Sequence, residues 1–556
     1  MTAVAAPLTP AVLDEALGDP FDAGNPFGMD AILAADAAGV PLASAHALLR
    51  DLGVQRLFVP TELGGALDSV PDLIAALQPV FARDAGLGLG FGVTTLMAAL
   101  NVWHSGDDEL RRRVAGVVLA GHPVSVAYHE LDHGNDLASN DLRADRTASG
   151  YALTGRKEVV NNAARAAAAV VFARTSEKPG RSHSLFYVDL DEAASTATRL
   201  DRFRTTALDS VQLGGFAFDA HPVAESALIG AEGKGIEIAL KSFQVSRVVM
   251  ASAGLGPVDL ALHTTASFAR QRVVFGRPVD EIAHARTNLA IAQSLLLAVE
   301  AAVDEAAASL HTAPEAAGAR AAAVKYAAPL LLESAMEHLA VVLGARFYLR
   351  TGPFAVFGKH YRDLAPVGIG HAGSTSCLLS LLPQIRQLLR EDAGTPVAAR
   401  PDDLGHLDLS RLSLRTGSPD PVISAIPHAS PLTGPEGADP AAEAAERLDR
   451  LRAAAAALPA SALGVAAPAE AFDVAHEYAI TFVAGAALAA RERDRSPFAD
   501  AWVRIALAAV HNHRRARPAV APADVAVVAD RIGRHLDDGR SLLRDGRPVC
   551  RSMPAL

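Results

Sequence analysis

Between about residues 121 and 230 the chain changes period. The segments VSVAYHEL, YALTGRKEVV, AAAVVFART, SLFYVDL and VQLGGFAFD are short, rich in valine, tyrosine and phenylalanine, and separated by turn residues. The residues on either side read instead at helical spacing. A strand cluster of this size between helical regions restricts the fold to a small barrel or sandwich set among helices. The sequence therefore predicts a mainly α protein with a central β-domain. Residues 1–120 form a helical domain, 121–233 the β-domain, 234–395 a four-helix-bundle domain, 396–440 a linker and 441–556 a C-terminal helical extension.

In the first region amphipathic windows fall near 29–52, 70–84 and 108–120, broken at LFVPTELGG and at the glycine-rich ARDAGLGLGFG. After the strands, TNLAIAQSLLLAVEAAVDEAAASL and GARAAAVKYAAPLLLESAMEHLAVVLGA are alanine-rich stripes suited to close helix packing. Residues 393 to about 440 are rich in Pro, Gly, Ser and Asp and read as a linker, and helical windows resume at 440–457, 469–494, 498–515 and 522–544. At helical spacing Ile236, Leu240, Phe243, Met250, Gly254 and Val258 share a stripe that also carries Arg247 and Arg272. A guanidinium on a buried face needs a carboxylate, a phosphate or a cluster of carbonyls.

The net charge of −11 argues against a large nucleic-acid surface. No apolar run reaches the roughly eighteen residues of a bilayer span, and the N-terminus lacks the basic and apolar regions of a signal peptide. Two cysteines, Cys377 and Cys550, form neither a disulfide framework nor a metal-ligand spacing. The expectation is a cytoplasmic protein with no membrane span and no metal.

Several motifs together resemble the acyl-CoA dehydrogenase family. Arg272, Phe275, Gly276 and Pro278 match R-x-x-F-G-x-P, and Leu57 to Gly65 match L-x-V-P-x-E-x-G-G. HELDHGND, His129 to Asp136, is similar to T-E-P-x-x-G-S-D, with His129 for the threonine and Asn135 for the serine. GRKEVVNN, Gly155 to Asn162, is similar to G-x-K-x-W-I-T-N, with Val159 for the tryptophan. HYRDLAPVGIGHAGSTS resembles Y-R-D-A-x-x-x-x-I-Y-E-G-T; an ungapped alignment sets His371 where the catalytic glutamate belongs, and a shift of one residue sets Ala372 there instead, with no base. A second glutamate position, just before the helix arginine, holds Ser246, and AVVLGAR around Gly344 is a faint Q-x-x-G-G-x-G.

The resemblance implies FAD as cofactor, contacted by His129, Asn135, Val159, Asn161, Arg272, Phe275 and Gly344, with Arg272 and Gly344 reaching FAD across a homodimer or homotetramer. It implies an acyl-CoA or carrier-protein-bound acyl substrate near Asn135, Ser246 and Arg247, and an electron-transfer flavoprotein or oxygen as acceptor. The reaction is α,β-dehydrogenation of an acyl thioester. It needs a base for the α-proton and a flavin for the β-hydride, because no side chain accepts a hydride usefully. Neutral imidazole at His371 can serve as that base, since its ordinary pKa of about 6.5 leaves it mostly unprotonated at neutral pH. If the base lies elsewhere, Glu130, Asp132 and Glu158 are next. Two other readings stand beside this one: a monooxygenase of the same fold, and a non-catalytic subunit that completes a partner's FAD site.

Overall fold

The computed structural model describes residues 7–190, 196–370, 373–391, 404–434, 437–512 and 518–554. The N-terminal part is helical, with Pro10–Leu17, Met29–Ala38, Ala43–Asp51, Val70–Arg83, Thr94–Ser105 and Asp108–Leu119 as its main elements. Thr9, Ser69 and Asp107 cap three of these helices by accepting a first-turn backbone N–H on the side-chain oxygen. The helix Thr94–Ser105 is absent from the periodicity because Thr94 to Trp103 are all buried, which leaves no polar face to mark a period. The glycine-rich segment before it continues the chain instead of breaking it. Asp84 caps the short helix Ala85–Gly88, and a π-turn at Leu89–Val93 leads directly into Thr94–Ser105.

Eight strands follow: β1 Val124–Ala127, β2 Arg143–Thr147, β3 Gly150–Val160, β4 Ala168–Arg174, β5 His183–Asp189, β6 Thr198–Leu200, β7 Gly214–Ala224 and β8 Leu228–Ile229. They pair in the order β6-β7-β3-β2-β4-β5-β8, with β1 lying parallel to β4. Tyr151 on β3 meets Phe186 on β5 with ring centroids 4.8 Å apart. In a flat sheet those strands, three steps apart, would be separated by about 14 Å. The sheet is therefore rolled around its own core of Ala169, Val171, Phe186, Val188 and Phe216. Its other face, through Val170, Phe172, Leu185 and Tyr187, joins the helical core. Burial on both faces explains why β4 and β5 read as unbroken apolar runs.

The helices Gly235–Ser252 and Leu255–Gln271 follow one another through a bend at Ala253–Gly254, where Pro257 lacks the N–H that would bond the Ala253 carbonyl. Ala283–Thr312 and Ala317–Leu343 pack antiparallel beside them, and Ala355–Ile369 and Ser374–Leu381 follow. The bend and the helix end at Gln271 correct the stripe reading. Arg247 is buried, but Arg272 lies beyond the helix in extended backbone and is exposed.

Three further expectations change. By length and composition, the helical stretches Ala85–Ser105, Gly235–Gln271 and Ala317–Tyr348 are each apolar enough to cross a membrane. Here 94%, 100% and 61% of their apolar windows are covered by protein, the packing that close alanine contacts allow. The described part of the supposed linker is packed: Leu412, Ile423, Ile426 and Leu432 are buried, and Asp420 accepts the Tyr478 hydroxyl at 2.7 Å. The extension is not a separate unit either. Ala469–Arg493, Pro497–Val510 and Pro522–Asp537 pack on Ala283–Thr312 and share its core.

Candidate active site

A cavity of about 310 Å³ opens where the three parts of the fold meet. Val126, His129, Val159 and Asn161 form its strand-side wall, while Met250, Pro366, Ile369 and Gly370 form its helix-side wall. Leu89, Thr94 and Met97 close it from the N-terminal helices, and residues 205–208, 211 and 213 from the loop before β7. His129, Val159 and Asn161, three of the residues the motifs single out, thus line one space.

His129, just beyond β1, pairs with Val159 near the end of β3 through a backbone bridge. Its Nδ1 lies 2.9 Å from the Gly134 carbonyl, so that nitrogen carries the hydrogen and Nε2 the lone pair. Burial holds the imidazole pKa below its usual value, which favours the neutral ring. His129 is the one titratable side chain among the described residues lining the cavity. Glu130, next in sequence, is committed elsewhere. Its carboxylate accepts the buried Lys157 ammonium at 2.7 Å and the amides of Asp141 and Leu142 at 2.8 and 3.0 Å. Burial alone would raise its pKa, but Lys157 and those amides hold the carboxyl below the usual range. Glu158 accepts the Leu131 amide at 3.3 Å, and Asp132 is exposed. None of the three fallback carboxylates lines the cavity.

Asn135 is exposed in the loop that follows. A β-carbon on Gly373 would lie 3.0 Å from its Nδ2, so this loop reaches the segment just after position 372. His371 itself lies outside the described residues; the cavity wall can be followed as far as Gly370. Ser246 is buried with its hydroxyl 3.4 Å from the Ser242 and Phe243 carbonyls. Arg247 departs from expectation. Its partners among the described residues are the Ser380 hydroxyl at 3.2 Å and the Phe243 ring, 5.8 Å from the guanidinium. The ring face and the hydroxyl meet a guanidinium's weakly hydrated plane in place of an anion.

Arg272, Phe275 and Gly344 do not line the cavity. Val273–Val274 and Arg277–Pro278 form a small hairpin whose tip, Phe275, is 94% exposed. Near the same helix end Arg346 stacks over Phe268, and Val341, Tyr348 and Leu349 are exposed around Gly344.

Two positioning groups escaped the sequence reading. The fully buried Lys325 donates to the Val367 and Gly368 carbonyls at 2.8 and 3.1 Å, gripping the end of the helix that leads to Gly370. Burial depresses its pKa to about 8. Lys359, equally buried, bridges Asp84 at 2.6 Å and Asp363, one turn along its own helix. Asp363 in turn accepts the Leu208 amide at 3.0 Å. An isolated lysine carries no mark of a distant partner, and Val367 lies 42 residues from Lys325 and Asp84 275 residues from Lys359; only Asp363, four residues on from Lys359, is local.

Five described non-glycine residues have positive φ: Asn162, Leu208, Gln212, Ala220 and Phe275. Asn162, Leu208 and Gln212 gather at the cavity rim, where the Asn162 amide donates to the Val211 carbonyl at 3.0 Å. Such a backbone costs on the order of 1–3 kcal/mol per residue and persists only where surrounding contacts impose it.

The comparisons agree with this geometry. Residues 125–220 match the acyl-CoA dehydrogenase middle-domain model, and residues 233–382 match the acyl-CoA dehydrogenase C-terminal-domain model. Isovaleryl-CoA dehydrogenase of Solanum tuberosum is 26% identical over 237 residues, 42% of this chain and 57% of that protein. The match thus spans little more than half of the relative's length. An acyl-CoA dehydrogenase complexed with FAD from Bacillus anthracis superposes with a TM-score of 0.64 at 15% identity, covering 88% of this chain and 89% of its own. A prolyl acyl carrier protein oxidase superposes at 0.59 and 18% identity, over 66% of this chain and 95% of its own. The two solved structures share this chain's fold. Over residues 125–220 and 233–382 the chain is thus of the acyl-CoA dehydrogenase family's middle- and C-terminal-domain type.

Proposed function

We propose that this chain is a flavin-dependent α,β-dehydrogenase of acyl thioesters carried on CoA or on a carrier protein, with FAD as its cofactor. The observation that carries the reading is the cavity itself, in which the strand residues His129, Val159 and Asn161 face the helix end at Gly370 across one space. The donor set suits a flavin. The strand wall offers an imidazole lone pair, an amide side chain and a flat aliphatic face, while the remaining walls are mainly apolar.

Bound there, the flavin supplies the hydride acceptor for the substrate's β-carbon. The chain's own residues do the rest. The apolar walls exclude water from the thioester. The imidazole of His371 takes the α-proton, so that the C–H bond breaks and an N–H bond forms. Arg272, on the exposed hairpin with Phe275, would hold the FAD pyrophosphate of a second copy, which would make the working unit a homodimer or a higher homo-oligomer. An electron-transfer flavoprotein or oxygen would take up the electrons. The lack of a carboxylate among the described cavity residues supports a second reading, a same-fold oxygen-using flavoprotein that needs no carboxylate base.

The purified protein is expected to be yellow with one flavin per chain, and the absorbance near 450 nm should bleach on anaerobic addition of an acyl-CoA, as flavin reduction requires, to roughly the extent set by the substrate equilibrium. Flavin without bleaching by any acyl thioester would favour the second reading, and no flavin at all would sink both. Arg272→Ala is expected to loosen flavin by about 1.5–3 kcal/mol, one charge-assisted contact, raising its dissociation constant roughly 10–150-fold. Unchanged retention would remove Arg272 from the site.

A further inference from the structure

The turn from Leu208 to Gln212 lines the cavity at a conformational cost that a glycine would avoid. Leu208 has φ 52° and ψ 30°, and Gln212 φ 54° and ψ 60°, both in the left-handed region that bulky side chains rarely enter. Three independent contacts impose this shape. The Leu208 amide donates to Asp363 at 3.0 Å, the Val211 carbonyl accepts the Asn162 amide at 3.0 Å, and the Asp209 carboxylate meets the Arg202 guanidinium at 2.6 Å. The anchors come from the helix wall, the strand wall and the turn's own flank. What they hold in place is the Leu208 residue, 7% exposed and lining the cavity.

A strained backbone fixed from three sides around an inward-facing leucine is a device for shape rather than for folding. We infer that Leu208 is a specificity-determining residue: the turn is held left-handed so that this residue limits the depth of the cavity, and its size sets how long an acyl group the site accepts. The inference rests on the acyl-thioester reading and adds to it the dimension that the substrate must satisfy. A residue in an apolar pocket discriminates neighbouring chain lengths by about one order of magnitude per methylene mismatch. Leu208 should therefore separate short from long acyl chains more strongly than any single polar contact on the strand wall.

The test uses the flavin-loaded full chain and saturated acyl-CoAs of four, eight and twelve carbons, with binding measured by calorimetry and turnover by anaerobic bleaching. Leu208→Ala and Leu208→Gly are both expected to shift the ratio of long-chain to short-chain affinity by about tenfold or more towards the longer chain. Leu208→Gly should also melt no lower than Leu208→Ala, because glycine enters the left-handed region without strain and offsets its greater freedom when unfolded. Acyl-CoAs that still bind with an unchanged length profile in both variants would overturn the role of Leu208 alone. A parent protein that retains flavin but binds none of the three acyl groups, either as CoA or as carrier-protein thioesters, would overturn the acyl-thioester reading, and this inference with it.

Discussion

Lys359→Met is expected to cost about 3–5 kcal/mol of stability, the largest effect of any single substitution argued from the fold. Lys359 is 2% exposed and faces Asp84 and Asp363, both buried, so its removal leaves two carboxylates in the interior with, among the described residues, only the Arg362 guanidinium, 3.8 Å from Asp363, still paired to them. Asp84 also caps Ala85–Gly88, and Asp363 holds the Leu208 amide, so the N-terminal helices and the cavity turn should loosen together. A thermal or chemical unfolding midpoint that stays within error of the parent would refute the assignment. Adding Asp84→Asn and Asp363→Asn to Lys359→Met should restore part of the loss, because neutral amides bury at a smaller cost than unpaired carboxylates.

The second large effect concerns the proton. If His371 accepts the α-proton, His371→Ala should slow hydrogen–deuterium exchange at the α-carbon of a bound acyl thioester by about 10²–10⁴-fold, the usual range for a positioned acid–base group. Flavin content should not change, since the role assigned to the side chain is towards substrate. His371→Glu should preserve or raise the exchange, a carboxylate being the group the family motif holds at that position. Exchange at the parent rate in His371→Ala would move attention to His129, whose neutral imidazole is the one titratable group among the described residues lining the cavity.

The order of helix, strand and helix was legible because it rests on periodicity, and periodicity survives wherever one face of an element meets solvent. It failed at Thr94–Ser105, which is buried all round, and it gave no warning of the bend that separates Arg247 from Arg272. Segment composition misled at 404–434, where proline and glycine punctuate short turns that pack as tightly as a helix. At the site, motif matching found His129, Val159 and Asn161 because each sits at a fixed offset from a strand end. It could not find Lys325, Lys359 or the Leu208 turn. Val367, Gly368 and Asp84 are distant in sequence from the lysines they hold, and positive φ at a leucine leaves no trace in composition.

Lys325 holds the helix that ends at Gly370 through two main-chain carbonyls, Val367 and Gly368, and through no side chain. A grip of that kind is indifferent to what the following residues are. The exit of the chain from this helix is thus set by one ammonium and two main-chain oxygens, so the helix-side wall of the cavity is anchored at a point that side-chain chemistry does not touch.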